Sequence, residues 1–107
     1  MRVLAVAGDD VEPRVDDRLV VAGLVVARQH PETANGTVFL LLEDEYGFIN
    51  VIVPPRLYQQ NREVIKFAPF LVVEGRLERE DRVLNVVGRR FRELAMRKIA
   101  YRSRDFR

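Results

Sequence analysis

The chain has 107 residues, of which 48% are hydrophobic. This is enough for one domain with a compact core, too apolar for a disordered chain, and without any apolar run near the ~20 residues that span a bilayer. Cysteine is absent and His30 is the single histidine, which excludes disulfides and thiolate metal sites and argues against a histidine metal site or a Ser-His-Asp arrangement. The net charge of +2 hides an asymmetry: residues 1–81 hold nine Lys/Arg and fourteen Asp/Glu, giving −5, whereas residues 82–107 hold nine and two, giving +7. The basic quarter suits a phosphate-facing surface or a solvated tail.

Residues 1–7 are apolar like the start of a signal peptide, but the run is too short and Asp9 and Asp10 follow at once. Residues 1–16 therefore read as a leader or linker whose first residues can add an edge strand. Residues 18–29 are rich in β-branched side chains and predict a long strand. Gly23 sits in its middle, where glycine marks a bulge or bend. Pro31 breaks the strand, and the loop closes on Asn35 and Gly36. Residues 37–43 predict a second strand, and residues 44–47 a tight turn in which Gly47 is free to take a positive φ. Residues 48–53 predict a third strand.

Pro54 and Pro55 stop it, and residues 56–66 predict a helix that buries Leu57, Val64 and Ile65. A fourth strand spans residues 70–77, again with an internal glycine, Gly75. Residues 78–82 form a polar hairpin turn, and residues 83–87 a fifth strand able to run on to Phe91. Residues 93–101 have the spacing of a short helix in a basic tail.

Three strands, a helix and two strands is the element order of the OB fold, an all-β five-stranded Greek-key barrel. That barrel binds oligonucleotides on the face of its second and third strands. The predicted barrel covers residues 17–92, followed by a basic tail over residues 93–107.

Strand parity assigns the faces. Glu43 resists unpaired burial, so Phe39 and Leu41 share its outward face while Val38, Leu40 and Leu42 point inward. Asn50 sets the third strand in the same way: Phe48 and Ile52 face out, and Ile49, Val51 and Val53 face in. Phe39, Leu41, Phe48 and Asn50 then share the outer surface of neighbouring strands, where an exposed Phe offers a surface for base stacking and Asn50 can donate to and accept from a base edge. Core packing of Phe39 and simple solvation of Asn50 are the competing readings. Arg28 at the end of the first strand, and Arg76, Arg79 and Arg82 around the last hairpin, are the phosphate candidates. Local neutralisation by Glu78, Glu80 and Asp81 is the alternative for the hairpin pair. Arg89 and Arg90, with Arg92, follow the fifth strand without such a screen. Glu43 is expected to be solvated or paired with Arg28, His30 to be a loop residue, and Tyr58 to pack.

Residues 21–26, the run Phe39 to Gly47, Ile49 to Val51 and Leu71 to Leu77 resemble the OB domain near the C-terminus of bacterial C-family DNA polymerases, the polymerase III alpha subunits. The exit from the fifth strand, Val86 to Arg90, and the terminal Ser103 to Phe106 are most similar to the error-prone paralogue. The resemblance covers roughly residues 17–107. It implies a non-catalytic module that takes part in replication or error-prone repair synthesis in the cytoplasm, without cofactor or metal. Single-stranded DNA is the implied partner, with RNA as the alternative. Other polymerase domains or accessory mutagenesis proteins are the partners if the barrel is a docking module. In related OB domains that bind tRNA anticodons, the positions of Phe39 and Asn50 lie on the ligand side. Leu41 departs from the small polar residue usual in the family. The family's polymerase, phosphoesterase and clamp-binding regions have no counterpart here, so an excised domain or a free-standing relative is expected.

Overall fold

The computed structural model describes residues 1, 3–6 and 14–94. Six strands are described: β1 (Val3–Val6), β2 (Arg18–Gln29), β3 (Val38–Asp44), β4 (Gly47–Val53), β5 (Phe70–Glu80) and β6 (Val83–Glu93). Two short helices, α1 (Pro55–Gln60) and α2 (Arg62–Phe67), lie between β4 and β5. The sheet order is β1-β2-β3-β4-β6-β5, and a β2–β5 pairing closes the last five strands into a barrel. β1 adds to β2 as an edge strand, antiparallel. The described part of the predicted helix over residues 93–101 is not helical: Glu93 ends β6, and residues 95–101 lie outside the described residues.

β2 serves both halves of the barrel. Its first part pairs with β5, and from Leu24 onward it pairs with β3. Gly23 stands at the changeover. A Cβ there would lie 2.8 Å from the Glu43 carbonyl oxygen and 3.0 Å from the Leu42 Cβ, so only glycine admits this approach. Gly75 does the same on β5, where a Cβ would run into the Val87 carbonyl.

The alternating rows behave as strands buried on one side should. Val38, Leu40 and Leu42 of β3, and Ile49, Val51 and Val53 of β4, are buried; Leu19 and Val21 of β2 and Leu71, Val73 and Leu77 of β5 meet them in the core.

Two bulges shift this alternation. One lies between Val25 and Ala27 on β2. It leaves Val26 without a partner and sets Arg28 opposite the inward Leu40. The other lies opposite Glu74 and Gly75, where Arg89 is the extra residue on β6. Beyond it Phe91 turns into the core and Arg90 turns out.

The helices plug one end of the barrel, with Ile65 buried and Leu57, Tyr58 and Val64 packed on the core. The single predicted helix is interrupted at Asn61, whose backbone lies at φ −120° and ψ 20°. Its side-chain Nδ2 donates to the Leu57 carbonyl at 2.9 Å. The Asn61 backbone N–H donates to the same carbonyl at 3.0 Å, so side chain and main chain together cap the end of α1. Asp81 in the last hairpin has φ 56°, and Gly47 has φ 136°, the positive φ expected of its turn.

Candidate nucleic-acid interface

The outward face of β3 and β4 carries three cross-strand pairs: Phe39 with Ile52, Leu41 with Asn50, and Glu43 with Phe48. Phe39, Leu41 and Ile52 are half-buried, while Phe48 is 60% exposed. All six residues that alternation places outward, Phe39, Leu41, Glu43, Phe48, Asn50 and Ile52, therefore point away from the core. The parallel β4–β6 pairing extends the same face, setting Asn85 beside Asn50 and Val87 beside Ile52. The result is a shallow apolar strip interrupted by two neighbouring amides. Among the described residues, no hydrogen bond involves the side chain of Asn50 or Asn85. Each keeps a donor and an acceptor for another partner.

Two loops bracket this face. Gln29 stands opposite Phe39, so the loop that follows it lies at the Phe39 end. Because β4 and β6 run parallel with Asn50 level with Asn85, the β5–β6 hairpin turn lies at the Phe48 end. Arg79 and Arg82 belong to that hairpin and are exposed. Among the described residues neither has an ion pair, despite the acids around them in sequence. Glu43, also exposed, borders Phe48 and places a negative charge at one edge of the strip.

The other predicted cations go elsewhere. Arg28 does not face the strip or meet Glu43. The bulge at Val26 reverses its parity, and its guanidinium reaches over the plugged end of the barrel. Nε donates to the Ile65 carbonyl at 2.8 Å and Nη2 to the Ala68 carbonyl at 2.7 Å. These carbonyls belong to the end of α2, where the helix itself supplies no donor. Arg76 forms an exposed 3.1 Å ion pair with Asp16, an interaction of about 0–1 kcal/mol.

Arg89 and Arg90 sit on the far half of β6, beyond its pairing with β4. Arg90 opposes Glu74, and both arginines line an open cleft of about 670 Å³ that includes Val20, Leu57 and Val72. The predicted cation set is thus divided among three sides of the barrel.

Sequence reasoning missed Asn85 and Val87 because the β4–β6 pairing joins distant segments. The available signal was Asn85 itself, an amide inside the apolar run from Val83 to Val87, buried to 8% exposure. Among the described residues no group of three or more acids or histidines could hold a metal, and no helix is long and apolar enough to cross a membrane.

A five-stranded barrel closed through its first strand, with helices between its third and fourth barrel strands, is an OB fold. Solved structures agree on the fold. Asparaginyl-tRNA synthetase from Pyrococcus horikoshii complexed with asparaginyl-adenylate superposes with a TM-score of 0.63 at 15% identity, over 75% of this chain and 19% of that one. The S. pombe Stn1-Ten1 complex gives 0.61 at 18% identity, over 84% and 67%.

Sequence relatives narrow the class. The chain is 47% identical over 96 residues to an error-prone DNA polymerase of Anaeromyxobacter dehalogenans strain 2CP-1, covering 87% of this chain and 8% of that protein. It is 47% identical over 78 residues to the error-prone DNA polymerase of Caulobacter vibrioides, covering 73% and 7%. No family model matches the chain. The resemblance carried by the strand motifs is therefore borne out: the chain is similar, over most of its length, to one small segment of the error-prone DNA polymerases.

Proposed function

We propose that the barrel holds single-stranded DNA on the outward face of β3, β4 and β6, as a non-catalytic module of an error-prone DNA polymerase working in the bacterial cytoplasm. The observation that carries this reading is the pairing of outward aromatic rings, Phe39 and Phe48, with the unengaged amides of Asn50 and Asn85 on one strip. Rings accept any base by stacking, while an amide offers weak edge contacts. The exposed Arg79 and Arg82 at one end can neutralise phosphates. Glu43 limits the strip on its β1 side. Such a site is sequence-tolerant and salt-sensitive.

Fluorescence anisotropy with labelled single- and double-stranded oligonucleotides across a salt series tests the reading. Wild-type protein is expected to favour the single strand, and Phe39→Ala to bind it more weakly. Equal affinity of Phe39→Ala and wild type for the single strand, together with no preference for it over duplex, removes the stacking face.

A second reading has an observation of its own. An open cleft of about 690 Å³ is lined by Leu4, Ala22, Leu24, Phe70 and Leu94, with Glu43, Asp44 and Glu45 beside them. An apolar surface edged by acids suits a protein partner, such as another part of the polymerase or an accessory mutagenesis protein. It lies beside the strip and not over it. Docking and DNA binding can therefore belong to neighbouring patches of one barrel.

A further inference from the structure

A cleft of about 440 Å³ opens at the plugged end of the barrel, between the end of β2 and the two helices. Arg28, Arg62 and Lys66 line it together with His30 and Tyr58, and among the described residues its wall contains no carboxylate. The three cations have different supports. Arg28 uses two of its donors on the α2 carbonyls, which fixes the guanidinium and leaves three N–H groups over. Arg62 and Lys66 are one turn apart on α2 and share a face, so their charges repel each other unless an anion lies between them. The Lys66 ammonium stands 5.7 Å from the Phe67 ring, an exposed contact that leaves its hydrogen bonds to solvent. Tyr58 and His30 meet edge to face with centroids 5.3 Å apart. Together they offer ring surface beside the cations.

The cleft also joins the strip. Gln29 lines it, and Gln29 is the partner of Phe39 on the neighbouring strand. Adjacent strands lie roughly 5 Å apart, and successive nucleotides advance by roughly 3.4 Å when stacked. A strand leaving Phe39 therefore reaches the cleft within one or two nucleotides.

We propose that this cleft is a phosphate pocket that receives the backbone of the nucleic-acid strand as it leaves the strip, with the adjoining nucleotide against Tyr58 and His30. The proposal rests on the reading that a strand lies on the β3–β4 face. It assigns a role to Arg62, Lys66, His30 and Tyr58, none of which the strip uses.

The test has two parts, both on the full chain. Backbone amide NMR is recorded with deoxyadenosine 5′-monophosphate, with deoxyadenosine and with inorganic phosphate. The nucleotide is expected to shift the resonances of His30, Tyr58, Arg62 and Lys66, phosphate alone to shift those of Arg62 and Lys66, and the nucleoside to shift neither set. Equal shifts from nucleotide and nucleoside, or shifts confined to other residues, overturn the pocket.

The second part compares Arg62→Gln/Lys66→Gln with Phe48→Ala on a single strand of about 12 nucleotides, within the range of OB site sizes. Removing two phosphate contacts is expected to lower the slope of log K against log salt by about 1.4. Both positions are exposed, and an unchanged melting temperature shows that the fold survives. If the double variant keeps the wild-type slope while Phe48→Ala binds weakly, the pocket fails and the strip stands. A reduced slope with Phe48→Ala unaffected places phosphate in the cleft but refutes the strip, and so overturns the proposal that the strand arrives from it.

Discussion

Replacing Phe48 with alanine separates binding from stability. Phe48 opens β4, opposite the exposed Glu43, and is 60% exposed. Full burial of a phenylalanine ring is worth ~1.5–3 kcal/mol. With about two fifths of the residue covered, truncation should cost about 1 kcal/mol of folding free energy or less. The ring's value to a ligand is larger. Stacking one base is worth roughly 1–3 kcal/mol, which corresponds to a dissociation constant about 5- to 150-fold higher once the ring is gone.

The assay is anisotropy of a labelled thymidine oligonucleotide at one low salt concentration, with urea unfolding run on the same samples. Phe48→Tyr keeps the aromatic face and should bind like wild type. If Phe48→Ala binds within about twofold of wild type, under the ~0.4 kcal/mol that twofold represents, the ring contributes no stacking and the strip is not where bases lie. A large fall in stability with unchanged affinity would also refute the argument, because it would make the ring part of the packing.

Arg28→Ala should destabilise the barrel by about 1.5–3 kcal/mol, since it removes charged donors from two carbonyls at the end of α2; urea unfolding reads this, and unchanged stability would show that the two bonds do not hold the plugged end. Gly75→Ala should cost about 2 kcal/mol or more through its clash with the Val87 carbonyl, measured by thermal unfolding. Arg79→Gln/Arg82→Gln should lower the salt slope of single-strand binding by about 1.4 and leave the melting temperature in place. Leu24→Asp should leave oligonucleotide affinity within twofold while weakening co-purification with the rest of a polymerase, because Leu24 lines the acid-edged cleft and not the strip.

The faces of β3 and β4 were legible in the sequence because nothing interrupts them. One polar residue on each strand, Glu43 and Asn50, fixes the alternation, and the pairing of the two strands runs without a shift from Val38 to Asp44. β2 and β6 were not legible in the same way, since each contains an extra residue. Alternation counted from Leu19 and Val21 places Arg28 outward, and the bulge at Val26 turns it inward. The second bulge turns Phe91 into the core, although alternation from Val86 would have turned it out. The glycines at 23 and 75 announced the bends; Gly75 also stands at the register shift opposite Arg89, but Gly23 does not mark the shift between Val25 and Ala27. Likewise the helix formers of residues 56–66 are read correctly, while the backbone of Asn61, at φ −120° and ψ 20°, divides them into two short helices.

A closed barrel resolves the tension between the acidic main body of the chain and a polyanionic ligand. The −5 charge of residues 1–81 argues against DNA only if charge is spread evenly over the surface. Here it is not. Glu43, Asp44 and Glu45 gather beside Leu4 and Leu24, whereas the plugged end carries Arg28, Arg62 and Lys66 in a wall without acids. At physiological salt the Debye length is about 8 Å, less than two strand spacings. A phosphate at the plugged end is therefore largely screened from acids at the other end of β3. On the proposed reading the strip between these regions needs little charge of its own, because stacking on an aromatic ring does not depend on it. On that reading the apolar Leu41, between Phe39 and Glu43 on the same face, supports a stacked base, and Asn50 and Asn85 offer the edge contacts.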